Sequence, residues 1–179
     1  PCKTFISKLF LHCIKLRIMS GSWLYQKCIV VIGGTTGIGL SAAQAFVDHG
    51  AKVVVVGRNA ESVDKATALL KEDGVGIAGD ASQPGTASRA IGLCKKKFGS
   101  FHGLYHVAGG SGRKFGDGPL HELTLEGWNQ TFQLNLTSLM LSNQEAIKAF
   151  LEQKTPGTIL NMGSVLGFSP SPKHFVTHA

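Results

Sequence analysis

The stretch "CIVVIGGTTGIGL", residues 28 to 40, decides how the rest of the chain is read. "CIVVIGG", 28–34, is a continuous apolar run bounded by glycines. It shows no polar alternation, so it reads as a strand covered on both faces. Glycines stand at Gly33, Gly34, Gly37 and Gly39, and helical spacing begins at once in "GLSAAQAFVDHG", 39–50. A strand that turns through glycines straight into a helix suits a particular chemistry. One glycine permits the reversal, one lets backbone N–H groups approach a pyrophosphate, and one lets the helix pack against the strand. The helix start adds unpaired amides and the positive end of its dipole. Thr35 and Thr36 add hydroxyl donors, and Ile38 lies within the same turn. The turn is therefore expected to hold a nucleotide's phosphates; the plainer alternative is a tight strand–helix turn with no ligand.

The pattern repeats outward from there. "AKVVVVGRN", 51–59, is a second buried strand, "AESVDKATALLKEDG", 60–74, a helix closing on Gly74, and "VGIAGD", 75–80, a short strand. "PGTASRAIGLCKKKFG", 84–99, reads as a helix with Pro84 near its start and Gly99 at its end. "FHGLYHVAGG", 101–110, is a fourth strand, and a glycine-rich loop, 110–119, leads to a long helix from about Leu125 to Gln153. "GTILNMGS", 157–164, is a fifth strand. Strands alternating with helices imply right-handed crossovers and one parallel sheet. Residues 21–179 then form one domain, with no repeat and no internal boundary.

The end of the second strand speaks to which nucleotide is bound. An acid there would accept from a ribose 2′-hydroxyl, whereas an arginine suits a 2′-phosphate. The strand ends Gly57-Arg58-Asn59, with a guanidinium and no acid. A charge-assisted contact of about 1.5–3 kcal/mol favours NADP(H) over NAD(H) by tenfold or more. The alternative for Arg58 is a surface residue capping a loop.

Composition excludes several classes. The 179 residues are 43% hydrophobic and 16% charged, enough for a core. The formal charge is +7, but Lys3, Lys8, Lys15 and Arg17 fall in the first eighteen positions with no acid among them. The small remaining excess is no argument for nucleic acid, and Lys95-Lys96-Lys97 reads as the solvated end of a helix. No apolar run reaches the length of a membrane span. The four cysteines form no CxxC pair and the seven histidines no metal-ligand spacing. Reduced thiols, no metal site and a cytoplasmic location are expected. Residues 1–20 are basic and apolar and precede or include Met19; they read as a leader, a mistranslated extension or a targeting presequence.

At this point the chain resembles the short-chain dehydrogenase/reductase family over about residues 22 to 179. The glycine turn is similar to the family's TGxxxGxG, with Ile32 in place of its threonine. Asp80-Ala81 resembles the family's contact to adenine. "HVAGG", 106–110, stands where the family has NNAG: Ala108-Gly109 are kept, and His106 and Val107 replace two asparagines that brace the sheet. The resemblance makes Gly33, Thr35, Thr36, Gly37, Ile38, Gly39, Arg58, Asn59, Asp80, Ala81, Ala108 and Gly109 cofactor-binding residues. "WNQTFQLNLTS", 128–138, is similar to the segment of the catalytic asparagine, which places Asn135 in that role, holding a water in a proton relay. "ILNMGS" resembles the strand ending in the catalytic serine, so Ser164 would hydrogen-bond the substrate's oxygen.

The family's general acid is a tyrosine followed four positions later by lysine. Neither Tyr25 nor Tyr105 meets that pattern, and both precede Ser164. Thr177-His178-Ala179 resembles the stretch just before that tyrosine, so the tyrosine is expected beyond Ala179. The resemblance implies a doubly wound Rossmann-like sheet of strand order 3-2-1-4-5, with one edge and one face left bare, and hence a chain that is marginal or aggregation-prone alone. It implies an NADP(H)-dependent reduction of a carbonyl, or oxidation of an alcohol, on a small-molecule substrate. The family commonly forms dimers and tetramers. A non-catalytic NADP(H)-binding paralogue or scaffold, and a methyltransferase-like α/β domain, remain the competing readings.

Overall fold

The protein is described by a computed structural model over residues 23–169. The expected leader, and the stretch before the expected tyrosine, lie outside those residues. Five strands form one parallel sheet: β1 (Cys28–Ile32), β2 (Lys52–Gly57), β3 (Gly74–Ala78), β4 (Gly103–His106) and β5 (Thr158–Asn161). Their order is 3-2-1-4-5, as expected. The helices are α1 (Gly37–Asp48), α2 (Ala60–Leu70), α3 (Thr86–Phe98), α4 (Leu125–Phe132) and α5 (Ser138–Gln153).

Strand periodicity builds two cores. Val30, Ile32, Val54 and Val56 point to one face, under Ala90, Ile91 and Cys94 of α3 and Ala146 and Ala149 of α5. Ile29, Val31, Val53 and Val55 point to the other, under Ala43 of α1 and Ala66 and Leu70 of α2. Each such valine contributes about 1.5 kcal/mol or more by leaving water. The small residues on the helices let them approach the branched strand side chains closely.

Two expectations about helix limits need correction. α2 ends at Leu70, where Lys71 takes φ +57°, and Gly74 opens β3 rather than closing the helix. The helix expected over 125–153 is not one α-helix: residues Gln133–Thr137 form a π-helical segment between α4 and α5. That segment contains Asn135. Single π turns widen a helix by one residue and re-aim the side chains they carry.

β5 is an edge strand among the described residues, and Leu160 is 54% exposed on it. On the α1 side, a groove of about 370 Å³ runs past Leu24, Ile29, Phe46, Tyr105 and Leu160. Among the described residues nothing covers this edge and this face.

Candidate active site

The chain leaves β1 toward β2 and β3 on one side, then returns to place β4 on the other. A parallel sheet that reverses direction in this way opens a crevice beyond the carboxyl ends of the two central strands. A cavity of about 340 Å³ lies there. The β1–α1 turn supplies Gly33, Thr35, Thr36, Gly37, Ile38 and Gly39. The end of β2 supplies Arg58; residues after β3 supply Asp80 and Ala81; residues after β4 supply Ala108 and Gly109. Every predicted cofactor residue except Asn59 therefore lines one groove. Asn59 instead caps α2, its Oδ1 accepting from the Ser62 N–H at 3.1 Å.

The turn has the features a phosphate cradle needs. Gly33 sits at φ +86°, and a Cβ there would fall 2.7 Å from the Ala108 nitrogen. Only glycine lets β1 and the end of β4 pass so closely. The turn is pinned by Gly33 N–H and Gly34 N–H, both donating to the Val56 carbonyl at 2.9 and 3.1 Å. Thr36 is the N-cap of α1, yet its hydroxyl makes no capping bond. α1 has no acid in its first turn. Its leading amides and the Thr36 hydroxyl are thus left for an anion, and a Cβ on Gly37 would meet nothing within 4 Å. The donors, the open space and the lack of an acid in the first turn fit a pyrophosphate.

Asp80 and Arg58 share the far end of the groove. Asp80 Oδ1 accepts from the Ser82 N–H and the Ser82 hydroxyl, both at 2.8 Å. The Ser82 backbone amide first, then its hydroxyl and the Arg58 guanidinium, hold the Asp80 carboxyl below its ordinary range. Ser82 was not predicted, although an Asp-x-Ser sequence after a strand is the signal for such a turn.

His106, at the end of β4, is 2% exposed. Its Nε2 lies 3.0 Å from the Ala108 carbonyl and its Nδ1 3.1 Å from Ser142 Oγ. The carbonyl only accepts, so Nε2 carries the proton and Nδ1 faces the Ser142 hydroxyl, which also reaches the Ser138 carbonyl at 2.9 Å. Ser138 Oγ stands 3.4 Å from Nε2. Burial holds the imidazole below its usual value, and so neutral. His106 therefore ties the end of β4 to α5 and takes over the bracing that the asparagines would give. Val107 does not: it packs into the apolar core under α1.

Asn135 reaches the loop after β4. Its Nδ2 donates to the Gly110 carbonyl at 2.8 Å and to the Thr131 carbonyl at 3.0 Å, while its Oδ1 accepts from the Gly110 N–H at 2.9 Å. The π segment frees a carbonyl one turn back, and the side-chain amide satisfies it. The structure thus brings Asn135 to Gly109 and Gly110. Ser164 lies three residues past the end of β5, on the same edge of the sheet. Its Oγ accepts from the Leu166 N–H at 3.2 Å, which leaves its own proton to donate. Neither tyrosine reaches this edge. Tyr105 is buried in β4, edge-on to Phe46 with ring centres 6.2 Å apart, and Tyr25 lies in the turn before β1.

Comparison with known proteins agrees with this fold. The family model described as short chain dehydrogenase matches residues 27–176. A 2-(S)-hydroxypropyl-CoM dehydrogenase of Xanthobacter autotrophicus is 30% identical over 83% of this chain and 58% of its own length. An NADP-dependent (R)-specific alcohol dehydrogenase of Lentilactobacillus kefiri is 30% identical over 83% of this chain and 58% of its own. A crystal structure of a short chain dehydrogenase from Bacillus anthracis superposes with a TM-score of 0.77 at 24% identity, covering 87% of this chain and 61% of that one. The chain spans a little over half the length of these curated relatives.

Proposed function

The chain belongs to the short chain dehydrogenase family, and we propose that it binds NADP(H) as the nucleotide-binding part of an oxidoreductase acting on a small carbonyl or alcohol. The observation that carries this reading is the single groove into which the β1–α1 turn, Arg58, Asp80 and Ala108-Gly109 all open. When bound, the cofactor supplies or accepts a hydride at its nicotinamide. The chain's own residues do the rest. Amides 37–39 and the Thr36 hydroxyl hold the pyrophosphate, and the Arg58 guanidinium pairs with the 2′-phosphate. Asp80, with Ala81 beside it, binds the adenine end.

On the substrate side, Asn135 fixes the backbone at Gly109 and Gly110, and Ser164 donates its hydroxyl proton to the substrate's oxygen. Two observations support NADP(H) over NAD(H): a guanidinium rather than a carboxylate ends β2, and one relative is described as NADP-dependent. Among the described residues neither tyrosine stands at this edge: Tyr105 is buried and Tyr25 lies before β1. We therefore expect the 179-residue chain to bind NADPH without turning over a carbonyl. The same observation favours a second reading, a non-catalytic NADP(H)-binding paralogue.

Titration of the chain with NADPH, followed by nicotinamide fluorescence, tests the first step. Saturable binding, with NADH weaker by tenfold or more and S-adenosylmethionine silent, is expected. Binding of S-adenosylmethionine in place of NADPH overturns the proposal. Carbonyl reduction by a longer form carrying a tyrosine and lysine after Ser164 separates the enzyme from the binding protein.

A further inference from the structure

Cys28 opens β1 on the face that lies beneath α3, and Cys94 points inward from α3. Both are free thiols buried in the same core cluster, 2% and 0% exposed. They converge on one residue of the turn that follows α3: Cys28 Sγ is 3.3 Å from Ser100 Oγ, and Cys94 Sγ 3.4 Å from the Ser100 carbonyl. The Cys28 backbone N–H donates to His102 Nδ1 at 2.9 Å, which sets that imidazole beside the pair. Two free thiols that both meet Ser100, on elements held by different parts of the chain, are neighbours in one core.

We propose that Cys28 and Cys94 form a modification site, a dithiol that a small hydroperoxide converts to an intrachain disulfide joining β1 to α3. The two thiols are not equivalent. Interaction with Cys94, then with Ser100 and His102, holds Cys28 below the ordinary thiol value, while Cys28 and then burial push Cys94 up. Cys28 is thus the attacking thiolate and Cys94 the resolving thiol. The Cys28 sulfur attacks one peroxide oxygen, the O–O bond breaks, and the departing oxygen takes a proton to leave as water. This gives a sulfenic acid on Cys28. The Cys94 sulfur then displaces that hydroxyl group, its proton leaves with it as a second water, and the S–S bond closes. The two sulfurs lose two electrons in all, and the hydroperoxide accepts them. In the turn after α3 Gly99 is exposed and Ser100, whose oxygens meet both sulfurs, is half-buried, so the hydroperoxide would enter there.

The test is peptide mapping of the full 179-residue chain. It is treated with hydrogen peroxide in native buffer, blocked with N-ethylmaleimide, and digested without reductant. The same treatment in concentrated urea is the comparator. The expected native product is a Cys28–Cys94-linked peptide that dithiothreitol abolishes. In urea the links should spread toward Cys2–Cys13, the nearest pair along the chain. In Cys94→Ala, Cys28 should stop at a sulfenic acid that dimedone traps. If that variant fails to fold, the parent map decides alone. Native Cys28 and Cys94 that both remain reduced, or a link pattern identical with and without urea, would overturn the proposal.

Discussion

Gly37 and Gly39 stand two residues apart in the same turn, and replacing each with alanine should break different things. Gly39 lies in α1 where a Cβ would run into the Gly33 carbonyl group, with its carbon at 2.8 Å and Gly34 Cα at 3.1 Å. Both obstacles are backbone, so no rotamer relieves them. α1 must move off the turn, at about 1–3 kcal/mol for overpacking. The Gly33 and Gly34 bonds to Val56, at 2.9 and 3.1 Å, loosen with it, at about 1 kcal/mol each. Better helix propensity returns about 1 kcal/mol. Gly39→Ala should therefore lose about 3 kcal/mol of stability. Gly37 is the reverse case. It sits at φ +51° with open space around its Cβ position. Alanine there costs about 1–2 kcal/mol of left-handed strain, partly offset by about 0.5–1 kcal/mol from a stiffer unfolded chain. Its methyl, however, projects into the groove, and NADPH affinity should fall at least tenfold. Urea unfolding followed by far-UV circular dichroism reads the first effect, and NADPH fluorescence titration reads the second. The reasoning fails if Gly39→Ala unfolds within 0.5 kcal/mol (roughly the scatter of a neutral surface change) of the parent, or if Gly37→Ala binds NADPH as the parent does.

Other perturbations follow from the same geometry. Arg58→Ala should weaken NADPH by about ten- to a hundredfold, the worth of a charge-assisted contact, and leave NADH nearly unchanged; equal losses would remove Arg58 from the 2′-phosphate. Asn135→Ala removes all three bonds between Asn135 and the backbone at Gly110 and Thr131, so NADPH should bind several-fold more weakly with little change in far-UV signal. Burial lowers His106 below its unfolded value of 6.5. Its contribution is therefore fully present above pH 6.5 and is lost as pH falls from there toward the folded value. Unfolding free energies from urea titrations between pH 7 and 5 should fall with a slope of up to about 1.4 kcal/mol per pH unit, and His106→Gln should flatten that part of the curve. The open β5 edge and the groove past Phe46 and Tyr105 should make the 179-residue chain associate with rising concentration, as light scattering would show; a cooperative monomer would count against it.

Most of the fold was legible because its signals are local. Continuous branched runs such as Val53-Val54-Val55-Val56 admit only a strand covered on both faces, and alternation with helices then fixes a parallel sheet. The groove was legible for the same reason. A parallel sheet sends every strand's carboxyl end to one edge, so residues next to those ends in sequence meet in space. Gly37 and Arg58 are found in this way; Asp80 and Ala108 come from the family resemblance and lie next to the same strand ends. Asn59 shows the limit of that rule. It follows Arg58 directly, but an asparagine before a helix is drawn to the N-cap, and its side chain turns to Ser62.

What stayed hidden depends on contacts between distant segments. The helical period across residues 125–153 is nearly unbroken, so nothing local marks the π segment at Gln133–Thr137. Its cause is tertiary: the Asn135 amide bonds Gly110, twenty-five residues earlier, and a five-residue turn gives that side chain its aim. His106 shows the same logic from the other side. In sequence it is a departure from an amide that braces the sheet. In the structure Ser138 and Ser142, one turn apart on α5, meet it, and Ser138 can present its hydroxyl there because the π segment ends just before it. The substitution at 106 and the widened turn at 133–137 are therefore two halves of one arrangement. That coupling predicts non-additivity. His106→Asn should cost about 1 kcal/mol with Ser142 in place, through the lost contact between its hydroxyl and the ring, and less once Ser142 is alanine. A double-mutant cycle in urea that gives additive losses would separate the two halves.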